Sequence, residues 1–504
     1  MVSKRVIVVG AGVAGLAAAI ELSLGGLDVT VLEREAVPGG KLREVDAGGL
    51  RIDAGPTVLT MREVFEALYA RAGTSLTAHL ALTPARVLAR HAWSEGETLD
   101  LFADRTRAAE AIGDFAGASE ARGYLAFCER ARRVYRTLDA SFIRASRPNP
   151  FSLATRVGWR GLPDLWRISP FLSLWAALGE YFRDPRLQQL FGRYATYCGS
   201  SPYLAPATLM LVAHVEQEGV WLVEGGMRRI AASLAQLASA SGAVIRCGVQ
   251  VAAVLVDAGR VTGVRLDSGE VLNADVVLCN ADVAALAAGR FGGQVRGAVA
   301  QVPRASRSLS AVTWGVTAST SGFPLCRHNV FFSSDYAAEF NDIFDRGRLP
   351  QGPTVYVCAQ DRDDMGERRT TGAERLLCLV NAPPNGDIKV DANRYADSEI
   401  QLCEKATFSL LERCGLTVDR STCEPVVTTP TDFENLYPGT GGALYGQASH
   451  GWQASFRRPG SRSRIAGLYL AGGSAHPGPG LPMAALSGHQ AASAILEDFA
   501  LTRR

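Results

Sequence analysis

The chain has 504 residues, 47% hydrophobic and 20% charged, the mixture of a packed globular protein of roughly three domains' worth of chain, and this excludes extensive disorder. Lys+Arg is 52 against Asp+Glu 50, a net charge of +2 that gives no electrostatic footprint for nucleic acid. Ten scattered cysteines without a C-x-x-C pair exclude a secreted disulfide scaffold or a zinc ribbon and fit free thiols in a reducing compartment.

Residues 5–9 (RVIVV) are a continuous β-branched run, which predicts a parallel strand covered on both faces. It begins directly after MVSKR, leaving no room for a signal peptide. Gly10-Ala11-Gly12-Val13-Ala14-Gly15 follows, then a helix with Leu16, Ile20 and Leu24 on one stripe, stopped by Gly25-Gly26. Residues 28–33 (DVTVLE) read as the next parallel strand. From Val6 to Leu27 the only charge is Glu21, long enough for a membrane span, but the glycine spacing fits a buried strand, turn and helix instead.

Strand, G-x-G-x-x-G, helix and strand, with an acid 18 residues beyond Gly15, form a dinucleotide-binding pattern. Gly10 permits the tight turn, Gly12 lets backbone approach a pyrophosphate, and Gly15 lets helix pack on strand. The phosphates would sit over the helix start around Gly12 and Ala14, where free N–H groups and the dipole favour negative charge. Glu33 would accept a hydrogen bond from a ribose hydroxyl and repel a 2′-phosphate. This loop alone leaves NAD and FAD equally open.

The next segment carries Gly39-Gly40-Lys41-Leu42 and then Asp53-Ala54-Gly55-Pro56-Thr57. Paired glycines and a cation would add N–H groups and one positive charge beside the same pyrophosphate. The combination resembles the amine oxidase and phytoene desaturase superfamily of FAD proteins, with Lys41 where arginine is commoner. The resemblance implies FAD contacts from Gly40, Lys41, Leu42, Gly55, Pro56 and Thr57. Farther on, Gly225-Gly226 opens a helix with Ile230, Leu234 and Leu237 on one stripe, followed by strands turning at Asp257-Ala258-Gly259 and Asp267-Ser268-Gly269. In the superfamily this region contacts adenine at the position matching Val251, and residues 274–282 (ADVVLCNAD) resemble the strand that returns to the FAD domain.

Near the C-terminus, GLYLAGGSAHPGPGLPMAALSG (467–488) resembles the closing signature of bacterial carotenoid desaturases. It implies that Gly472 and Gly473 pass the ribityl chain and that Leu481, Pro482 and Met483 present a helix start to the flavin. Pro479 and Met483 depart from the phytoene desaturase pattern, which puts phytoene itself in doubt as substrate. The implied fold is α/β, a Rossmann-type FAD-binding domain with an inserted mixed α+β substrate and membrane-associating domain. Residues 1–60, 215–300 and 436–504 would build the FAD domain, and 61–214 with 301–435 the substrate domain.

Residues 90–104 and 191–227 are similar to the 1-hydroxycarotenoid 3,4-desaturases of purple bacteria. The implied activity is FAD-dependent desaturation of an acyclic 1-hydroxy- or 1-methoxycarotenoid, the electrons passing to oxygen or a quinone. A phytoene desaturase, a carotenoid isomerase and a non-catalytic prenyl-lipid escort are the alternatives. His476 would serve as proton acceptor or fix its loop by hydrogen bonding. Arg156 and Arg160 fall near a segment that lines the active site in related desaturases. Residues 142–179, with Trp159, Trp166, Trp175 and five arginines (Arg144, Arg147, Arg156, Arg160 and Arg167) against Asp164, predict a face that docks peripherally on the inner membrane from the cytoplasm. The glycine-rich stretch 437–446 would line the substrate mouth. The other histidines, including His328, are isolated and lack metal-ligand spacing, so no metal is expected.

Overall fold

Four β-branched residues in a row demand cover on both faces, and Val6, Ile7, Val8 and Val9 are all buried in the strand Arg5–Val9. The computed structural model describes residues 4–93, 96–146, 149, 151–153, 155–156, 171–388, 397–421 and 423–501. Arg5–Val9 is the middle strand of a five-stranded parallel sheet. In spatial order the strands are Leu468–Leu470, Val276–Cys279, Arg5–Val9, Asp28–Leu32 and Val244–Arg246. Three distant stretches of chain therefore meet in one sheet, and the glycine loop leaves the carboxyl end of its middle strand, where open α/β sheets bind ligands.

The helix Val13–Leu24 follows that loop. Leu16 and Ile20 are fully buried as their spacing predicts, but Leu24 is 47% exposed, because the stripe outruns the packed part of the helix. Every residue from Val13 to Leu22 is buried, since helices Arg228–Ala240 and Leu481–Leu501 pack on faces that the stripe alone leaves open. Close approach sets the glycines here. A Cβ on Gly15 would stand 2.2 Å from the Gly10 carbonyl oxygen, and one on Gly488 would stand 2.2 Å from that of Ala14. The apolar run from Val6 to Leu27 is thus strand, turn and helix, and no helix among the described residues is long and apolar enough to cross a membrane. Strands Val251–Asp257 and Arg260–Leu266 form a hairpin whose turn holds Ala258 and Gly259 at φ 44° and 77°, the left-handed pair that a tight hairpin turn needs.

A second, mostly antiparallel sheet faces the first assembly. It runs Leu416–Asp419, Ser310–Gly322, Glu374–Ala382, Val355–Ala359, His328–Phe331, Val87–Ala92 and Thr98–Phe102, with Val426–Thr428 beside the long strand. Among the described residues its one parallel pairing, Asn329 opposite Arg90, joins parts of the chain more than 200 residues apart. Side chains alternate across its faces. Val312, Trp314, Val355, Val357, Cys378 and Val380 form one hydrophobic cluster with Phe408 and Leu411 of the helix Asp397–Arg413. Thr313, His328, Tyr356, Leu377, Leu379 and Asn381 face the other way, into a cavity. A helical layer led by Ala118–Leu138 closes the remaining side around Tyr124, Phe127, Phe182 and Phe191.

Candidate functional site

The cavity measures about 1500 Å³ and reaches from the glycine loop to the inner face of the antiparallel sheet. Pockets for single small ligands run to about 1,000 Å³. This one has room for a dinucleotide and a second, elongated molecule. Of the residues singled out in the sequence, Gly10, Gly12, Ala14, Glu33, Gly40, Lys41, Leu42, Gly55, Pro56, Thr57, Val251, Gly472, Gly473, Leu481, Pro482 and Met483 line it. Gly15 stands behind the lining, where it lets the first helix seat against the Gly10 turn.

Several features test whether these residues suit FAD. The helix Val13–Leu24 starts at Gly12 without a capping side chain, which leaves N–H groups at its mouth. The Glu33 carboxylate accepts from the backbone N–H of Ala11 at 2.7 Å and of Glu35 at 2.9 Å, tying the glycine turn to the end of the second strand. Lys41 donates its ammonium to the Leu444 carbonyl and lies 5.1 Å from the Tyr437 ring centroid. Burial pushes its pKa down, Asp282 opposing, and its remaining surface is turned to the cavity.

Arg458 is buried as well, and donates to the carbonyls of Tyr445, Gly473 and Gln447. Burial lowers its pKa to about 10, with Cys198 and then Asp282 opposing. Among the described residues neither cation has an ion-pair partner. Lys41 and Arg458, which no carboxylate among the described residues ion-pairs, line the same cavity as the uncapped helix start, a donor set suited to a pyrophosphate. The donor set fits the group, and the adjoining helix start at Leu481 fits the acceptor edge of a flavin.

The remaining candidates from the sequence sit elsewhere. His476 is 2% exposed and is not among the lining residues; its Nε2 is 3.0 Å from the Phe142 carbonyl, and its ring meets Phe142 edge-on at 5.1 Å. Burial lowers its pKa to about 4, the Phe142 carbonyl opposing. Arg156 is exposed, with Nη2 on the Ser146 carbonyl at 3.2 Å, and is not among the lining residues either. Arg160 lies outside the described residues, as do Arg147, Trp159, Asp164, Trp166 and Arg167. Trp175 turns inward to pack against the tilted ring of Tyr203 at 4.6 Å, because Gly192 and Pro202 leave a slot for it. Arg144 is paired with Asp139 and Glu63.

Several residues that carry no motif come into play only on folding. Asp53 is buried and accepts from the N–H groups of Met227 at 2.7 Å and Arg228 at 3.2 Å, so it caps the helix Arg228–Ala240 from a distant segment. Gln360, on the antiparallel sheet's side, hydrogen-bonds both ways with the Asp53 backbone. Glu434 gathers the N–H groups of Gly439, Thr440 and Gly441 and so fixes the glycine-rich stretch, whose Leu444 and Tyr445 line the cavity beside Lys41. His328, isolated in sequence, lies against Tyr356 on the cavity wall.

A parallel sheet with a glycine-loop dinucleotide site, roofed by an antiparallel sheet over one long cavity, defines an FAD-dependent oxidoreductase. The family of flavin containing amine oxidoreductases matches residues 13–496, and the chain belongs to it. It is 54% identical over 503 residues to a hydroxyneurosporene desaturase of Rubrivivax gelatinosus, covering 100% of this chain and 95% of that one. It is 31% identical over 494 residues to a 1-hydroxycarotenoid 3,4-desaturase of a Flavobacterium species, covering 96% and 97%. Among solved structures, a redesigned putrescine oxidase superposes with a TM-score of 0.62 at 14% identity over 99% of both chains, a likeness of fold.

Proposed function

We propose that this FAD-dependent carotenoid desaturase forms the double bond between C3 and C4 of an acyclic 1-hydroxy- or 1-methoxycarotenoid. The observation that carries the reading is end-to-end identity of 54% with a hydroxyneurosporene desaturase, joined to a cavity too large for the cofactor alone. When bound, FAD supplies a two-electron acceptor that takes hydride from an allylic carbon. The chain's own part is to hold cofactor and polyene together and exclude water. Gly10, Gly12, Ala14, Glu33, Lys41 and Leu42 hold the dinucleotide's adenosine and phosphate side, with Gly15 shaping the turn and Val251 at the adenine. Gly55 to Thr57, Gly472, Gly473 and Leu481 to Met483 hold the flavin side. Leu138, Ile143, Leu153, Leu209, Val212 and Val215 supply an apolar wall for the polyene.

His476 acts as a positioning residue in this reading: its hydrogen bond to Phe142 ties the flavin-side loop to the helical layer. His476→Ala is then expected to lose flavin, whereas a purely catalytic role would leave the cofactor bound. The cavity mouth is suited to a membrane surface. Phe171, Leu204 and Trp452 are exposed and close together, Phe171 and Trp452 meeting edge-on at 5.5 Å, and Trp452 also lines the cavity. Apolar side chains beside an opening to an apolar cavity let a lipid-soluble substrate pass without crossing water. Flotation with anionic liposomes tests this, and protein that stays at the bottom of the gradient refutes it.

Anaerobic single turnover of the FAD-loaded protein tests the reaction, with 1-hydroxyneurosporene and phytoene offered separately in liposomes. Flavin bleaching with a red-shifted carotenoid from the hydroxylated substrate alone supports the reading. Turnover of phytoene instead refutes the 3,4-position, and a flavin that neither reduces points to an isomerase or an escort.

A further inference from the structure

The substrate half of the cavity is mostly apolar, yet it contains a cation, Arg193, that no carboxylate among the described residues ion-pairs. Arg193 opens the short helical turn Arg193–Cys198 and lines the cavity. Its Nη1 donates to the Tyr197 hydroxyl at 3.0 Å, and its guanidinium carbon lies 5.2 Å from the Tyr197 ring centroid and 5.3 Å from that of Tyr356. A guanidinium carries five N–H donors, and Arg193 is half-buried on the cavity wall, so donors beyond the one given to Tyr197 are available to a ligand there.

Two polar atoms nearby are buried and unmatched. Tyr336, which lines the cavity, has a buried hydroxyl without a hydrogen-bond partner. His328, 2% exposed, has its Nδ1 2.7 Å from the Tyr356 hydroxyl, which in turn donates to Thr57 Oγ1 at 2.7 Å. That order assigns the Nδ1 proton to the bond with Tyr356 and leaves Nε2 as an acceptor, buried and unpartnered. Burial holds the imidazole neutral, its pKa lowered to about 3 with help from Arg327 and Arg193. The group thus offers both spare donors and spare acceptors, the complement of an alcohol. Burial raises the pKa of Glu216, which accepts from Tyr194 at 2.7 Å, and of Glu339, with the Arg193 charge among the opposing influences on both.

We propose that Arg193, Tyr336 and His328 form the subsite that holds the oxygen at the hydroxylated end of the substrate. This rests on the 3,4-desaturase reading and sharpens it. In a 1-hydroxycarotenoid the oxygen-bearing carbon is two bonds, about 2.5 Å, from C3. An oxygen so close to the reacting carbons has to be bound beside the cofactor. The hydrogen-bonded chain His328–Tyr356–Thr57 ends in the segment assigned to the flavin side, and so places the subsite there. A methoxyl oxygen uses the donors but leaves His328 unmatched, so the subsite ranks alcohol above ether and both above hydrocarbon.

The test uses FAD-loaded protein under anaerobic conditions, with flavin reduction followed for 1-hydroxyneurosporene, its methyl ether and neurosporene. Wild type is expected to prefer the alcohol over the hydrocarbon by about 100-fold or more in the apparent second-order rate constant of flavin reduction, because a site built for a hydroxyl rejects the analogue that lacks it. Arg193→Met is expected to bring that preference within about tenfold, with Arg193→Lys restoring part of it. Tyr336→Phe removes only an unpartnered hydroxyl, so it keeps the fold and the flavin and lowers the preference several-fold. Wild type that prefers the alcohol while Arg193→Met and Tyr336→Phe keep the full preference overturns the subsite and leaves the reaction standing. Wild type that none of the three reduces overturns both. If Arg193→Met fails to hold flavin, Tyr336→Phe decides alone.

Discussion

Replacing Lys41 with methionine separates what its charge does for the chain from what it does for the cofactor. Without FAD, the substitution loses the hydrogen bond to the Leu444 carbonyl and the contact with Tyr437. A buried carbonyl left unpaired costs about 1–3 kcal/mol. Against that, methionine removes a desolvated ammonium whose burial costs several kcal/mol. The two nearly cancel, so the apo protein is expected to melt at the wild-type temperature or slightly above. With FAD the sign reverses. A unit charge about 4–6 Å from a phosphate, at an effective dielectric near 20, contributes about 3–4 kcal/mol. Screening and the helix start share the load, so FAD affinity is expected to fall by about tenfold at least and about 1000-fold at most. Equilibrium dialysis against FAD gives the affinity, and thermal melts with and without FAD give the two stabilities. An FAD affinity within twofold of wild type, or a melting loss equal in apo and holo protein, would refute the pyrophosphate role of Lys41.

Gly15→Ala is expected to give protein without flavin, although alanine is the better helix former by about 1 kcal/mol. Its Cβ would meet the Gly10 carbonyl at 2.2 Å, and flavin absorbance of the purified variant at wild-type level would contradict this. Asp53→Ala removes the buried acceptor for Met227 and Arg228, a cap worth about 1–2 kcal/mol. A melting point lowered by about 1–2 °C is expected for a chain of this length, and an unchanged one counts against the cap. Burial holds the folded pKa of His476 at about 4, below the unfolded value of about 6.5. Its stabilising share is therefore complete above pH 6.5 and lost as pH falls towards 4, because only the unfolded chain takes the proton in that window. His476→Gln should then shrink its stability deficit by about 2 kcal/mol between pH 7 and pH 5 in urea titrations. A deficit constant with pH would show that His476 does not titrate as its burial requires.

The glycine loop, its helix and the acid at the next strand's end were legible in the sequence because each depends on local geometry. Only glycine tolerates the approach of Gly15 to Gly10, and a β-branched run has few alternatives to a strand. The closing motif was legible through its resemblance to the carotenoid desaturase signature, and Gly472 and Gly473 precede a helix start at Leu481, all three lining the cavity. Periodicity reached its limit at Leu24, since an apolar stripe says which residues prefer burial but not where the packed neighbour ends. The inward turn of Trp175 was hidden likewise, because the slot it fills is made by Gly192 and Pro202.

What the sequence determined by itself is a dinucleotide cofactor, narrowed to FAD by the family its motifs resemble, and the chain order of the pieces that hold it. Tertiary structure alone decided the rest: that Asp53 caps a helix more than 170 residues away, that Arg458 joins Lys41 as a second buried cation, and that His328, Tyr356 and Thr57 form one chain. Strand register puts His328 and Tyr356 on the same face of the antiparallel sheet, and register is a property of pairing between distant segments. No spacing along the chain encodes which strands will be neighbours, so the substrate half of the cavity became visible only once the strands were paired.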